Sequence, residues 1–461
     1  MRRTVILLAG ALLALAGVVA LERLNEDRLY RSLLADGDAA IAARQPYLAV
    51  EAFSGALTIR DTSMVAHYRR GEAYAALGQA LQAERDLREA RRLAPDAPEP
   101  LQALGRLYDR RGDFAAAADW YTQASERLHD TDARLLYALA LARYRNGALQ
   151  AALEAARRAI ASDHTLAEAH YLLGLVAHDL GNPRAATSAL EQAVRLRPSF
   201  AEARQELAAL YREGGQITDE TAQLRALVDL EARVDRQIAL ATAQARTGQH
   251  EAALETLHGA EMATPGDSRL ALALGRVHLG LAESTGDDAE TAAALAALER
   301  ALGGTARRSE GLALYGRALH LSGDSAGAER LLEEAVRTSP VDPVAFSYLA
   351  DAAERLGHPL VARDALLSLE ALEGNATTPE VRRARAHRIG ALSLDGKDAA
   401  AAVRYLTLAT SGGERPVSAL GLLAEALWLD GRVEDARATL AEALVLSRDD
   451  ATLRRLQRTI K

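Results

Sequence analysis

The sequence predicts an all-α protein assembled as an array of short helical hairpins, and three observations predict it. Ala, Leu, Arg and Glu dominate a chain that is 49% hydrophobic but only 4% aromatic, and those residues favour helix when summed over long windows. Runs of Val, Ile and Thr, which strands favour, are few. Glycine and alanine return at fixed positions about every 34 residues, a period that marks a repeat architecture. A single core in a chain of 461 residues would exceed the size at which such cores stop growing. An array has no such limit, because each unit packs only on its neighbours.

The clearest unit is Ala167 to Ser199. Leu173 and Gly174 lie in a first helix, Gly181-Asn182-Pro183 breaks it, and Ala186, Leu190 and Ala193 share one face of a second helix. Two helix backbones approach closely only where one side chain is nearly absent. In this register, units begin near Tyr30, Met64, Pro98, Ala133, Ala167, Ala201, Val234, Ser268, Ser309, Pro343, Arg382 and Val417.

Taken in order, the first unit shows Gly37, Ala49, Phe53 and Ala56, and the second Gly71, Tyr74, Ala83, Leu87 and Ala90. The third carries Gly105, Tyr108, Ala117, Tyr121 and Ala124. In the fourth, Ala140 replaces the first glycine. The unit from Ser268 carries about seven extra residues, placed within Glu283 to Asp288, and the unit from Pro343 lengthens through Gly374 to Pro379. The unit from Arg382 is the weakest, held by Gly396, Ala401 and Tyr405. The segment 451–461 reads as a solvating cap helix around Leu453, Leu456 and Ile460. These readings divide the chain into a leader at 1–29, arrays at 30–267 and 268–450, and the cap.

The pattern resembles the tetratricopeptide repeat family, whose units read W-x2-L-G-x2-Y, then A-x3-F, then A and P. The resemblance implies a right-handed superhelical solenoid of about twelve helix-turn-helix units, with the first helix of each unit lining a concave face. It also implies protein or peptide binding. One branch of the family grips a carboxylate tail with paired lysine and asparagine. That pairing is missing here, since the chain has two lysines and no asparagine at a groove position.

Before the array, Met1-Arg2-Arg3 leads into Val5 to Leu21, a run with no charged or polar side chain. As a helix it would extend about 25 Å. Two readings stay open: a retained membrane anchor, or a signal peptide cut after Ala14-Leu15-Ala16. The length of the run, and its continuation into a helical LERLNEDRLYRSLL, favour the anchor. The expectation is therefore a single-pass membrane protein with an N-terminal apolar helix, a transmembrane contact and an extracytoplasmic, periplasmic body.

Chemistry is sparse. Cysteine is absent, which excludes disulfides and thiolate sites. No dinucleotide fingerprint, P-loop or nucleophile elbow occurs, so no catalytic residue and no cofactor are expected. His170 and His178 are eight apart, a poor spacing for one metal. With a net charge of −8 and no basic run, nucleic acid is not an expected partner, nor is a small-molecule substrate.

Binding remains. Residues one, four, eight and eleven places after each unit start are expected on the concave face. These slots hold Tyr68, Arg106, Arg134, Tyr137, Tyr144, Tyr171 and His178, the candidate partner-binding residues, beside Glu72, Asp109 and Glu168. Tyr and Arg anchor interfaces because they combine contact area with polar reach. The tyrosines have a second role open to them, as packing between neighbouring first helices. The expected function is a non-catalytic, membrane-tethered scaffold for a partner protein, in envelope assembly or secretion. The alternatives are an exported soluble adaptor and the regulatory subunit of an enzyme complex.

Overall fold

The computed structural model describes residues 2–304, 308–338, 341–374, 377–412 and 415–460, with side chains described at 15 and from 17 onward. Among the described residues there are 25 helices and no strand. The chain divides into two compact units, 1–223 and 224–461.

In the first unit α1 (Arg2–Ala42) pairs with α2 (Pro46–Ile59), α3 (Met64–Ala76) with α4 (Ala80–Leu93), and α5 (Pro98–Arg110) with α6 (Phe114–Arg127). Then α7 (Ala133–Arg145) pairs with α8 (Leu149–Ser162), and α9 (Ala167–Asp179) with α10 (Pro183–Leu196). α11 (Ala201–Glu213) and α12 (Ile217–Leu230) come next. The second unit continues with α13 (Val234–Arg246) on α14 (His250–Ala263), α15 (Ser268–Thr285) on α16 (Asp288–Leu302), and α17 (Arg308–Leu321) on α18 (Ser325–Arg337). It ends with α19 (Pro343–Leu356) on α20 (Pro359–Glu373), α21 (Pro379–Asp395) on α22 (Ala399–Ala409), α23 (Val417–Leu429) on α24 (Val433–Leu446), and the single helix α25 (Ala451–Thr459).

Short polar side chains start many of these helices by accepting from the otherwise unpaired first amides. Ser63 caps α3, Asp113 caps α6, Asp132 caps α7 and Asn182 caps α10. Most first helices stop where glycine adopts a left-handed backbone, as Gly181 does at φ 73°.

Within most hairpins the interaxial approach is set by one pair of positions 16 residues apart; in the lengthened α15/α16 hairpin the pair is Gly275 and Leu298. A Cβ added at Gly174 would sit 2.6 Å from Leu190 Cγ; at Gly105 it would be 2.4 Å from Tyr121 Cε1, and at Gly37 2.3 Å from Phe53 Cε1. Where Ala140 stands instead of glycine, its partner 16 residues on is Ala156, and both are fully buried. In the α7/α8 hairpin both facing residues are therefore small, whereas Ala241 and Ala350 still face the buried Leu257 and Leu366. We expect Gly174→Leu to overpack the α9/α10 hairpin and destabilise it by about 1–3 kcal/mol. Circular dichroism melts check this, and a variant that melts like the wild type would place Gly174 outside the interface.

The longer unit at Ser268 absorbs its extra residues as helix. α15 has 18 residues where α13 has 13, and Ala294, the counterpart of Ala253, is the seventh residue of α16 rather than the fourth. Both helices thus gain about a turn at the tip, closed by Gly286 at φ 70°. In the unit from Arg382, the repeat register runs one residue later than expected. Ala402 and Leu406 are buried in place of Ala401 and Tyr405, Gly390 packs on Leu406, and Lys397 rather than Gly396 takes the left-handed turn. Of the lengthened stretch before it, residues 375 and 376 lie outside the described residues.

The expected apolar N-terminal helix and the single-pass membrane placement with an extracytoplasmic body are corrected. Among the described residues no helix is long and apolar enough to cross a membrane. Much of the run Val5 to Leu21 (side chains 5–14 and 16) lies outside the described residues. α1 continues unbroken through Glu22, Arg23, Glu26, Asp27 and Arg28, and its later turns are the first helix of a hairpin. There Tyr30 lies 2.5 Å from Ser63 Oγ, and Asp27 pairs with Arg60, whose guanidinium covers the Tyr30 ring.

Candidate partner-binding face

First helices of successive hairpins touch directly, α3 on α5 and α7 on α9 in the first unit, and α15 on α17 and α17 on α19 in the second. Residues one, four, eight and eleven places along these helices consequently share a surface, and the expected binding residues fall into two groups on it.

Tyr68, Glu72 and Arg106 form the first group. Arg106 Nη2 donates to Glu72 Oε1 at 2.8 Å, and the Tyr68 phenol is pushed up by burial and then by Glu72, against the opposing pull of Arg106. The second group spans α7 to α11. The Tyr137 phenol is raised by burial and by Glu168. Burial would raise the Glu168 carboxyl as well, but its bond from Arg197, helped by the charge of Arg134, brings it below its ordinary value. Tyr144 is pushed up to about 12, by burial first and then by Asp179. The Tyr171 ring lies 5.0 Å from that of Phe200, and its phenol is raised by burial, Glu206 and Glu202. His178 Nε2 is 3.4 Å from Glu213.

Tyr68, Tyr137, Tyr144, Tyr171, Arg106 and His178 are half-buried, and Arg134 is exposed. Tyr68, Tyr137 and Tyr144 also rest on the apolar core between α4 and α9. Each ring has one side in the packing and an edge in solvent, so packing and recognition are compatible in one residue.

The sequence reading missed three features. Asp86 is buried between α3 and α4, where it accepts from Arg70 Nε at 2.7 Å and Nη2 at 2.9 Å and lies 3.2 Å from His67 Nδ1. In the second unit an alternating ladder joins residues of the same slots, with Arg388 of α21 added from beside them. Arg276 pairs with Glu310, Arg317 lies 3.6 Å from Asp351, and Arg388 reaches Asp351 at 2.7 Å and Glu354 at 2.5 Å. Reading the eighth-place slot through Arg276, Arg317 and Asp351 would have found it.

The third is His320, eleven places after its unit start at Ser309. It is buried, its Nδ1 makes no hydrogen bond, and burial followed by Arg355 and Arg317 holds its pKa below the ordinary value. A base depressed on folding is protonated more readily in the unfolded chain. Stability is therefore full above about pH 6.5 and falls as pH drops below that unfolded value towards the folded one. We expect amide protection of α17 to weaken between about pH 7 and 5. His320→Gln should flatten that response in hydrogen exchange, and an unchanged slope would assign it to another group.

Nested two-helix repeats with aromatic and charged side chains along their first helices define a helical-repeat protein. The repeats are tetratricopeptide repeats: family descriptions of that name match residues 68–127, 103–167, 137–182, 167–200 and 394–451, and the chain carries tetratricopeptide repeats over those residues. Among solved structures it is similar to MamA, with 27% identity over 35% of this chain and 94% of that one, at a TM-score of 0.34. It is also similar to YrrB, described as a TPR protein with an unusual peptide-binding site (18% identity, 41% and 97% covered, TM-score 0.37). A third is pilF of Pseudomonas aeruginosa (18%, 45% and 95%, 0.37). No curated protein matches the chain.

Proposed function

We propose that this protein is a non-catalytic scaffold that holds a partner protein or peptide along its first helices. Tyr68, Arg106, Arg134, Tyr137, Tyr144, Tyr171 and His178 are the contact residues. The observation that carries the reading is the placement of Tyr68, Tyr137 and Tyr171. All three occupy the fourth-place slot of a first helix in one compact unit, each half-buried rather than sealed in the core. Rings anchored on one side and open on the other offer large contact area with little rotamer freedom left to lose.

Changing Tyr68, Tyr137 and Tyr171 together to alanine is expected to abolish partner capture while far-ultraviolet circular dichroism keeps its helical amplitude. The three phenylalanine substitutions should retain most capture if ring area dominates. Capture by the alanine variant equal to wild type would remove this face from the function.

A further inference from the structure

The two groups on the first-unit face differ in charge. Around Tyr68 the carboxylate is satisfied, because Glu72 is bonded to Arg106. Around Tyr144 and Tyr171 carboxylates are in excess. Asp179 closes α9, and α11 presents Glu202 and Glu206. Among the described residues none of these three has a basic partner. The neighbouring cations are engaged elsewhere: Arg145 bonds Asp109 at 3.0 Å, Arg212 lies 3.2 Å from Glu220, and His178 faces Glu213.

The same place already holds one guanidinium by ring and carboxylate together. Arg197 lies 4.8 Å from the centre of the Phe200 ring and bonds to Glu168, while Phe200 leans on Tyr171. Ring faces and carboxylates select cations, and arginine above lysine, because the planar guanidinium can stack and donate at once.

We propose that the face between α7, α9 and α11 receives the arginine side chains of a basic partner segment, lodged against Tyr144 and Tyr171 and neutralised by Asp179, Glu202 and Glu206. This rests on the scaffold function proposed for the chain and names the chemistry of the partner.

The test is fluorescence anisotropy of the full chain with three labelled nonapeptides alternating glycine with arginine, lysine or glutamate. Binding should rank arginine above lysine, with the glutamate peptide silent. In about 0.15 M salt, where only close charges act across a Debye length, the variant Asp179→Asn/Glu202→Gln/Glu206→Gln should bind the arginine peptide about eightfold more weakly, near twofold for each exposed pair. A control that removes three exposed carboxylates from second helices, Asp229→Asn/Glu251→Gln/Glu255→Gln, should leave binding unchanged.

Equal weakening in the control would reduce the effect to general attraction by an acidic protein, and would overturn the proposal. Equal binding of the arginine and glutamate peptides would overturn it too. The scaffold reading is judged separately, by partner capture with the Tyr68/Tyr137/Tyr171 alanine variant. Capture lost there but kept in the amide variant sinks the cation site alone.

Discussion

Replacing Asp86 with alanine is expected to destabilise the first unit by about 3–5 kcal/mol, the range for removing one member of a buried ion pair. The Asp86 side chain is 5% exposed and takes both arms of the Arg70 fork, with His67 beside it. Arg70 also donates to Ser54 Oγ at 3.2 Å, and the bond to Asp86 raises its pKa against burial. Planar two-point bonding of this kind is geometrically demanding. Without the carboxylate, the Arg70 guanidinium and the His67 imidazole, both on α3, lose the acceptor on α4 that they share.

Because an array need not unfold in one step, the loss should be read by hydrogen exchange resolved along the chain. Amides of α3 and α4 should lose most protection, while those of the second unit keep theirs. Unchanged protection in α3 and α4 would mean that Asp86 is not a structural partner of Arg70 in solution.

Phe53→Ala should cost about as much, 3–5 kcal/mol or so for a fully buried phenylalanine. Phe53 has no solvent exposure, and its ring fills the space that the missing side chain of Gly37 leaves on α1. Removing the ring opens a cavity at the contact between α1 and α2. Adding Gly37→Leu to that variant should restore part of the loss, whereas Gly37→Leu alone should cost about 1–3 kcal/mol by overpacking. Opposite signs for one substitution in two backgrounds are the mark of direct contact in a double-mutant cycle. Additive effects would separate the two positions.

Much of the fold was legible because the repeat constrains it many times over. α3, α5, α7, α9, α11, α13, α15, α19 and α23 begin at the residues chosen as unit starts. Small residues and turn glycines mark each hairpin, so one weak unit barely disturbs its neighbours. The exception teaches the most. Around Arg382, Gly396 looked like the turn glycine, yet Lys397 takes the left-handed position because Gly390 and Leu406 set the register by packing. The extra residues after Ser268 were visible as a break in spacing. Their conversion into a turn of helix on each side depends on pairing that spacing does not encode.

Asp86 was hidden for another reason. Aspartate in the middle of an arginine-rich helix reads as a solvated face, and only the partner helix, 16 residues earlier, supplies the Arg70 that allows its burial. The apolar start was read as a span from its composition, and among the described residues no helix is long and apolar enough to cross a membrane.

The central claim, that the partner lies on the first helices, is tested most directly by photo-crosslinking from single positions. Probes at Tyr137 and Tyr171, on α7 and α9, should form covalent adducts with the partner. Probes at the exposed second-helix residues Glu154 and Ser188, on α8 and α10, should form none. Adducts from Glu154 or Ser188 with none from Tyr137 or Tyr171 would place binding on the opposite face and contradict it.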